Sequence, residues 1–150
     1  MRVRDIYRYA EKHLYDYPVK VARIEMLKFE LAVLREHGDI RVQDYRARSP
    51  SHGRHSDPPA MYEAQCTKLE RGIAQLIADT LPVKKLLESL DNPSASDISR
   101  NKAMKNIYQS IYESHNSLEE TCRIYGMSRR TCTRRRHELV MRCAQYLGII

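Results

Sequence analysis

Apolar residues recur at intervals of three and four along much of the chain, a spacing that admits helices and little else. Val21, Ile24, Leu27, Leu31 and Leu34 form one stripe, and Tyr62, Cys66, Leu69, Ile73, Leu76 and Thr80 form a second. Met104, Ile107, Tyr108, Ile111 and Tyr112 form a third. One face of an α-helix returns every 3.6 residues, whereas a half-buried strand needs strict alternation. Five glycines and six prolines in 150 residues are also too few for a turn-dense β architecture. The expectation is an all-α fold: an N-terminal helical hairpin of coiled-coil-like character, followed by a C-terminal helix-turn-helix. The first two stripes predict 19–37 packed against 61–81. The same a/d-type seams would serve equally for self-association, with a dimer favoured.

Breaks in the pattern suggest where the helices stop. Pro18 is expected to interrupt a first helix that begins near Asp5, and Gly38 to cap the second. Gly38-Asp39, Ser49-Pro50, His52-Gly53 and Asp57-Pro58-Pro59 predict a loop over 38–60, with Asp57 capping the third helix. Pro82 should kink or end that helix, leaving Val83, Leu86, Leu87 and Leu90 as a short continuation. Asp91-Asn92-Pro93-Ser94 reads as a break. The expected organisation is therefore a helical oligomerisation or partner region over 1–90, a linker over 91–100, and a DNA-binding unit over 101–150.

The last unit is punctuated most clearly. Ser117-Leu118-Glu119-Glu120 has the form of a capping box, and the helix it opens stops at Gly126. Gly126-Met127-Ser128 then predicts a tight turn, a plug and a new N-cap. At 100° per residue, Arg130, Thr133, Arg134 and His137 point away from the line through Cys132, Leu139 and Cys143. Arg129, at the helix start, can also reach outward. These five residues are the candidates for contact with base edges in a major groove, where arginine can pair with guanine O6 and N7. Ser128, Arg135 and Arg136 are the candidates for phosphate contact.

Charge supports that reading. Residues 1–48 carry 11 basic and 8 acidic side chains, 49–100 carry 6 and 7, and 101–150 carry 9 and 4. Between 128 and 143 six arginines face the single Glu138. Such a local excess favours a polyanion, and the near balance over 1–90 leads to the expectation that DNA affinity resides in the C-terminal unit.

The run Leu118-Glu119-Glu120-Thr121-Cys122-Arg123-Ile124-Tyr125-Gly126-Met127-Ser128-Arg129-Arg130-Thr131-Cys132 resembles the promoter-recognition domain of sigma factors. With Leu14-Tyr15-Asp16-Tyr17-Pro18, Ser56-Asp57-Pro58 and Ala144-Gln145-Tyr146-Leu147-Gly148-Ile149-Ile150, the chain is similar to the RinA/ArpU-type phage transcriptional regulators. The resemblance implies activation of late phage operons for packaging and morphogenesis through promoter DNA, with Arg129, Arg130, Thr133 and Arg134 at the reading positions. Cys122 and Cys132 stand where such domains usually carry alanine and a β-branched residue. Host RNA polymerase is a candidate partner. A phage small terminase subunit is the alternative, although its DNA-binding unit commonly precedes the oligomerisation helices.

Other classes find little support. His13, His37, His52, His55, His115 and His137 are dispersed, with no nucleophile, paired carboxylates or phosphate loop beside them, so no enzyme, metal or cofactor is expected. His52 and His55 lack further ligands at metal spacing. Cys66, Cys122, Cys132 and Cys143 are too far apart for a metal or redox motif, and lie on apolar helix positions where buried, reduced thiols are expected. No apolar run reaches membrane-spanning length, and no signal-peptide core follows Met1. A cytoplasmic location is the corresponding expectation.

Overall fold

The computed structural model describes residues 1–47, 58–92 and 97–150. Among these residues the protein is all-α, with no strand. Helix α1 runs Val3–Ala47, α2 Pro58–Leu90, α3 Ile98–Ile107, α4 Leu118–Tyr125 and α5 Arg129–Tyr146. A π-helical turn, Tyr108–Glu113, extends α3.

Several expected breaks do not occur. Pro18 lies inside α1, which is a single helix where two were expected. A mid-helix proline costs about 3 kcal/mol because it removes one ladder hydrogen bond and crowds the preceding turn. Fully buried Leu14 on one side and Ile24 and Leu31 on the other offset that cost, at about 1.5–3 kcal/mol per buried side chain. Pro82 sits within α2 and does not end it, and the expected continuation follows with Val83, Leu86 and Leu90 buried. Gly38 is no C-cap, since α1 continues to Ala47. Its role is space: a Cβ at Gly38 would overlap the ring of Tyr62. Of the loop expected over 38–60, the first ten residues are helical, and 48–57, with His52, His55 and Asp57, lie outside the described residues. Within the linker expected over 91–100, α3 already begins at Ile98, and 93–96 lie outside the described residues.

The chain divides into two compact units. Met1–Lys20 and Thr80–Ile150 form one, and Val21–Asp79 forms the other. The second unit is an antiparallel helix pair, because high numbers on α1 meet low numbers on α2: Leu27 faces Gly72, and Gly38 faces Tyr62. Ile24, Leu31 and Ile73 are buried in it, with Leu27, Cys66, Leu69 and Leu76 packed around them. The middle of each sequence stripe thus forms its seam, while Val21 is exposed and Thr80 belongs to the other unit, and an Arg35–Glu70 ion pair flanks it.

The first unit overturns the expected domain boundary. Ile6, Ala10 and Leu14 from α1, with Val83, Leu86 and Leu90 from α2, share one core with Met104, Ile107, Tyr108, Ile111 and Tyr112 and with Cys132, Leu139, Val140, Cys143 and Ala144. Residues 101–150 therefore do not close a core of their own. The reason is geometric, since α4 and α5 are too few to cover both faces of α3 and its π-helical turn. That turn is wider than an α-helical one, and Ser110, Ile111 and Tyr112 are all buried along it. Tyr15 of α1 meets Tyr112 edge-on at 4.7 Å between ring centroids.

Of the cysteines, Cys132 and Cys143 are fully buried, while Cys66 and Cys122 are half-buried. Burial pushes the Cys143 thiol up to about 12 and raises that of Cys132 as well.

Candidate nucleic-acid interface

Local hydrogen bonds set the start of α5. Ser117 accepts from the Glu120 N–H at 3.1 Å while the Glu120 carboxylate accepts from the Ser117 N–H at 3.2 Å, closing the capping box. Gly126 ends α4 with φ +63°, a left-handed conformation that costs glycine nothing sterically. Ser128 Oγ then accepts from the Thr131 N–H at 3.2 Å and caps α5. Both caps and the turn lie where the sequence places them. Behind them, Thr121 and Ser110 share a buried hydroxyl–hydroxyl hydrogen bond of 2.7 Å. Thr121 also donates to the Ser117 carbonyl at 2.9 Å, and the Asn116 amide donates to Ser110 Oγ at 3.2 Å. This network holds α4 against the end of the π-helical turn.

The arginines of α5 then separate into two groups. Arg135 pairs with Glu138 at 2.9 Å, and Arg142 pairs with the same carboxylate at 3.1 Å, with Arg100 at 3.6 Å from it. Arg136 is held by Glu11 of α1 at 2.7 Å and lies over the Tyr112 ring at 5.9 Å, while the Tyr112 hydroxyl donates to Glu11 at 3.0 Å. Burial works against the Arg136 charge, but Tyr112 and Glu11 outweigh it and hold the guanidinium pKa above its ordinary value. Two residues expected to meet phosphate, Arg135 and Arg136, therefore have intramolecular carboxylate partners. Ser128, the third, spends its hydroxyl on the cap and on a 2.8 Å hydrogen bond to Thr131 Oγ1.

The base-edge candidates stand elsewhere. Arg130 and Arg134 are exposed and have no ion-pair partner among the described residues. Arg129 lies 4.0 Å from Glu119, with side chains 76% and 79% exposed, a separation and exposure that leave the pair worth little. Thr133 is exposed on the same side and donates its hydroxyl to the Arg129 carbonyl at 2.8 Å. His137 is exposed but stacks on Tyr7 of α1, with ring centroids 5.4 Å apart and planes 13° from parallel.

The structure thus brings Arg130, Thr133 and Arg134 onto one outward stripe, sets Arg129 beside it, and turns His137 toward α1. It also places beside His137 residues that the sequence pattern does not mark: Val3, Arg4, Tyr7 and Arg8 line a shallow groove with Glu11 and His137. No local pattern links α1 to α5 across this distance in the chain; the one available signal is the i, i+4 spacing of Arg4 and Arg8. No helix is long and apolar enough to cross a membrane among the described residues. No protein-family model matches the chain, and no curated protein or solved structure matches it.

Proposed function

We propose that the protein is a sequence-specific double-stranded DNA-binding transcriptional regulator that reads the major groove with α5, through a helix-turn-helix formed by α4 and α5. One observation carries this reading: the arginine-rich helix pairs Arg136 with Glu11 and gathers Arg135 and Arg142 on the shared carboxylate of Glu138, and leaves Arg129, Arg130 and Arg134 outward at its N-terminal end. A merely solvated helix would have no reason to sort its cations this way. An α-helix about 10–12 Å across fits a major groove about 12 Å wide, and the N-terminal residues of a recognition helix are those that meet the base edges. The firm caps at Ser117 and Ser128 support the same reading, because base readout needs side chains held on rigid elements. Following the resemblance, the controlled genes are late phage operons, and the role is activation.

The experiment selects duplexes from a random pool with the purified full chain and then compares variants on the enriched site. Arg134→Ala is expected to lose about 1–3 kcal/mol on that site and little on unrelated duplex. No enrichment of any sequence would reject the reading, and equal losses on both duplexes would make Arg134 a phosphate contact.

A further inference from the structure

Three surface features take no part in the proposed reading. The polar cleft between α1, α2 and α3 is lined by Lys84, Glu88, Asp91, Lys105 and Glu113, a mixed set that selects no ligand class. Met26 and Phe29 of the second unit are exposed, but nothing adjoining them points to what would cover them. The groove between α1 and α5 goes further.

Its chemistry is set by which charges are spent. Glu11, the acidic residue of the groove, is neutralised by Arg136 at 2.7 Å. Arg4 and Arg8 are exposed, one turn apart on one face of α1, and have no ion-pair partner among the described residues. Tyr7 lies between them in the chain and stacks on His137. His137 lies three residues after Arg134 and seven after Arg130, so these three residues run along one side of α5. The row of Arg130, Arg134 and His137 therefore leads, at its His137 end, to the groove lined by Arg4 and Arg8 of α1, two further cations with no ion-pair partner among the described residues. Shared burial of Ile6 and Ala10 with Val140, Cys143 and Ala144 holds that helix in place.

We infer that Arg4 and Arg8 of α1 bind the phosphate backbone bordering the DNA that α5 enters, so that the nucleic-acid surface spans two helices and the first residues of the chain belong to it. The inference rests on the function proposed above and revises the expectation that 1–90 adds no DNA affinity. Charge complementarity chooses the occupant: free guanidinium groups beside a helix that presents three more suit a polyphosphate edge. An acidic protein surface would not require the alignment with the Arg130–Arg134 stripe.

Phosphate contacts are independent of sequence, so the test needs no operator. The full chain is titrated with a mixed-sequence duplex of about 30 base pairs, roughly three helical turns, across a salt series. Each phosphate neutralised contributes about −0.9 to the slope of log affinity against log salt. Arg4→Gln/Arg8→Gln is expected to make that slope shallower by about 1.8, so that an about four-fold rise in salt costs it roughly ten-fold less affinity than it costs the wild type. Arg4→Lys/Arg8→Lys is expected to keep the wild-type slope. Should the glutamine pair melt early, Arg8→Gln alone reads the same slope at half the effect. A wild type that binds with a salt-dependent affinity that the glutamine variants share would overturn this inference and leave the proposed function standing. A wild type that binds no duplex would overturn both.

Discussion

Arg134 and Arg136 lie two residues apart in α5 and meet different surroundings. The first is exposed with no ion-pair partner among the described residues; the second sits half-buried between a carboxylate and a tyrosine ring from two other elements. Charge alone does not distinguish them, and only the position of Glu11 does. Removing the Arg136 guanidinium would leave Glu11 partly buried with the Tyr112 hydroxyl as its remaining donor among the described residues. Hydrogen bonds to charged groups contribute about 1.5–3 kcal/mol, discounted here because both side chains keep some solvent contact. Arg136→Ala is expected to destabilise the fold by about 1–2 kcal/mol in a urea titration, whereas Arg134→Ala stays within about 0.5 kcal/mol of wild type. Equal stability of the two variants would mean that water solvates Glu11 well enough without its partner.

At the scale of the elements, α1 and α2 are each continuous, yet each contributes to two units. The units divide after Lys20 and after Asp79, and Pro18 and Pro82 stand within three residues of those points. Each proline removes one ladder hydrogen bond there, which weakens the cooperativity that a long helix would otherwise transmit. The helix pair of Val21–Asp79 buries Ile24, Leu31 and Ile73, a smaller set of buried side chains than the core of the other unit contains. Regions with few buried apolar contacts open first. Amides over 24–37 and 62–78 are therefore expected to exchange with solvent faster than those over 139–144, as read by native-state hydrogen exchange. One common rate across both stretches would show that the prolines leave the long helices fully cooperative.

For the whole molecule, the C-terminal helices are a unit only together with the beginning of the chain. Ile6, Ala10, Leu14, Val83, Leu86 and Leu90 all bury side chains in the core that α3 and α5 share. At about 25 cal/mol per Å² of apolar surface, losing them removes on the order of 10 kcal/mol, comparable to the entire stability of a typical domain. A fragment of residues 97–150 is therefore expected to melt without a cooperative transition by circular dichroism, while 1–150 melts cooperatively. A fragment with a sharp transition near that of the full chain would restore the boundary expected at 91–100.

Most local features of the candidate site were legible from residue spacing, because their causes lie within a few residues. Ser117 with Glu120, Gly126 at positive φ, Ser128 with Thr131, and the outward stripe of Arg130, Thr133 and Arg134 follow from helix geometry and short-range hydrogen bonds. So do the seams of the helix pair. The helix ends assigned at Pro18 and Gly38 were misplaced, because those propensities are weaker than packing: Leu14, Ile24 and Leu31 hold α1 through Pro18, and Gly38 makes room for the Tyr62 ring within the helix. Nothing local marks Arg136 as spent, since its carboxylate lies 125 residues earlier. The same holds for the groove that sets Arg4 and Arg8 beside His137. Sequence alone determined where helices start, turn and face outward, through interactions within about one turn. Tertiary structure decided which cations stay free and which parts of the chain share a core, because burial and ion pairing depend on distance in space.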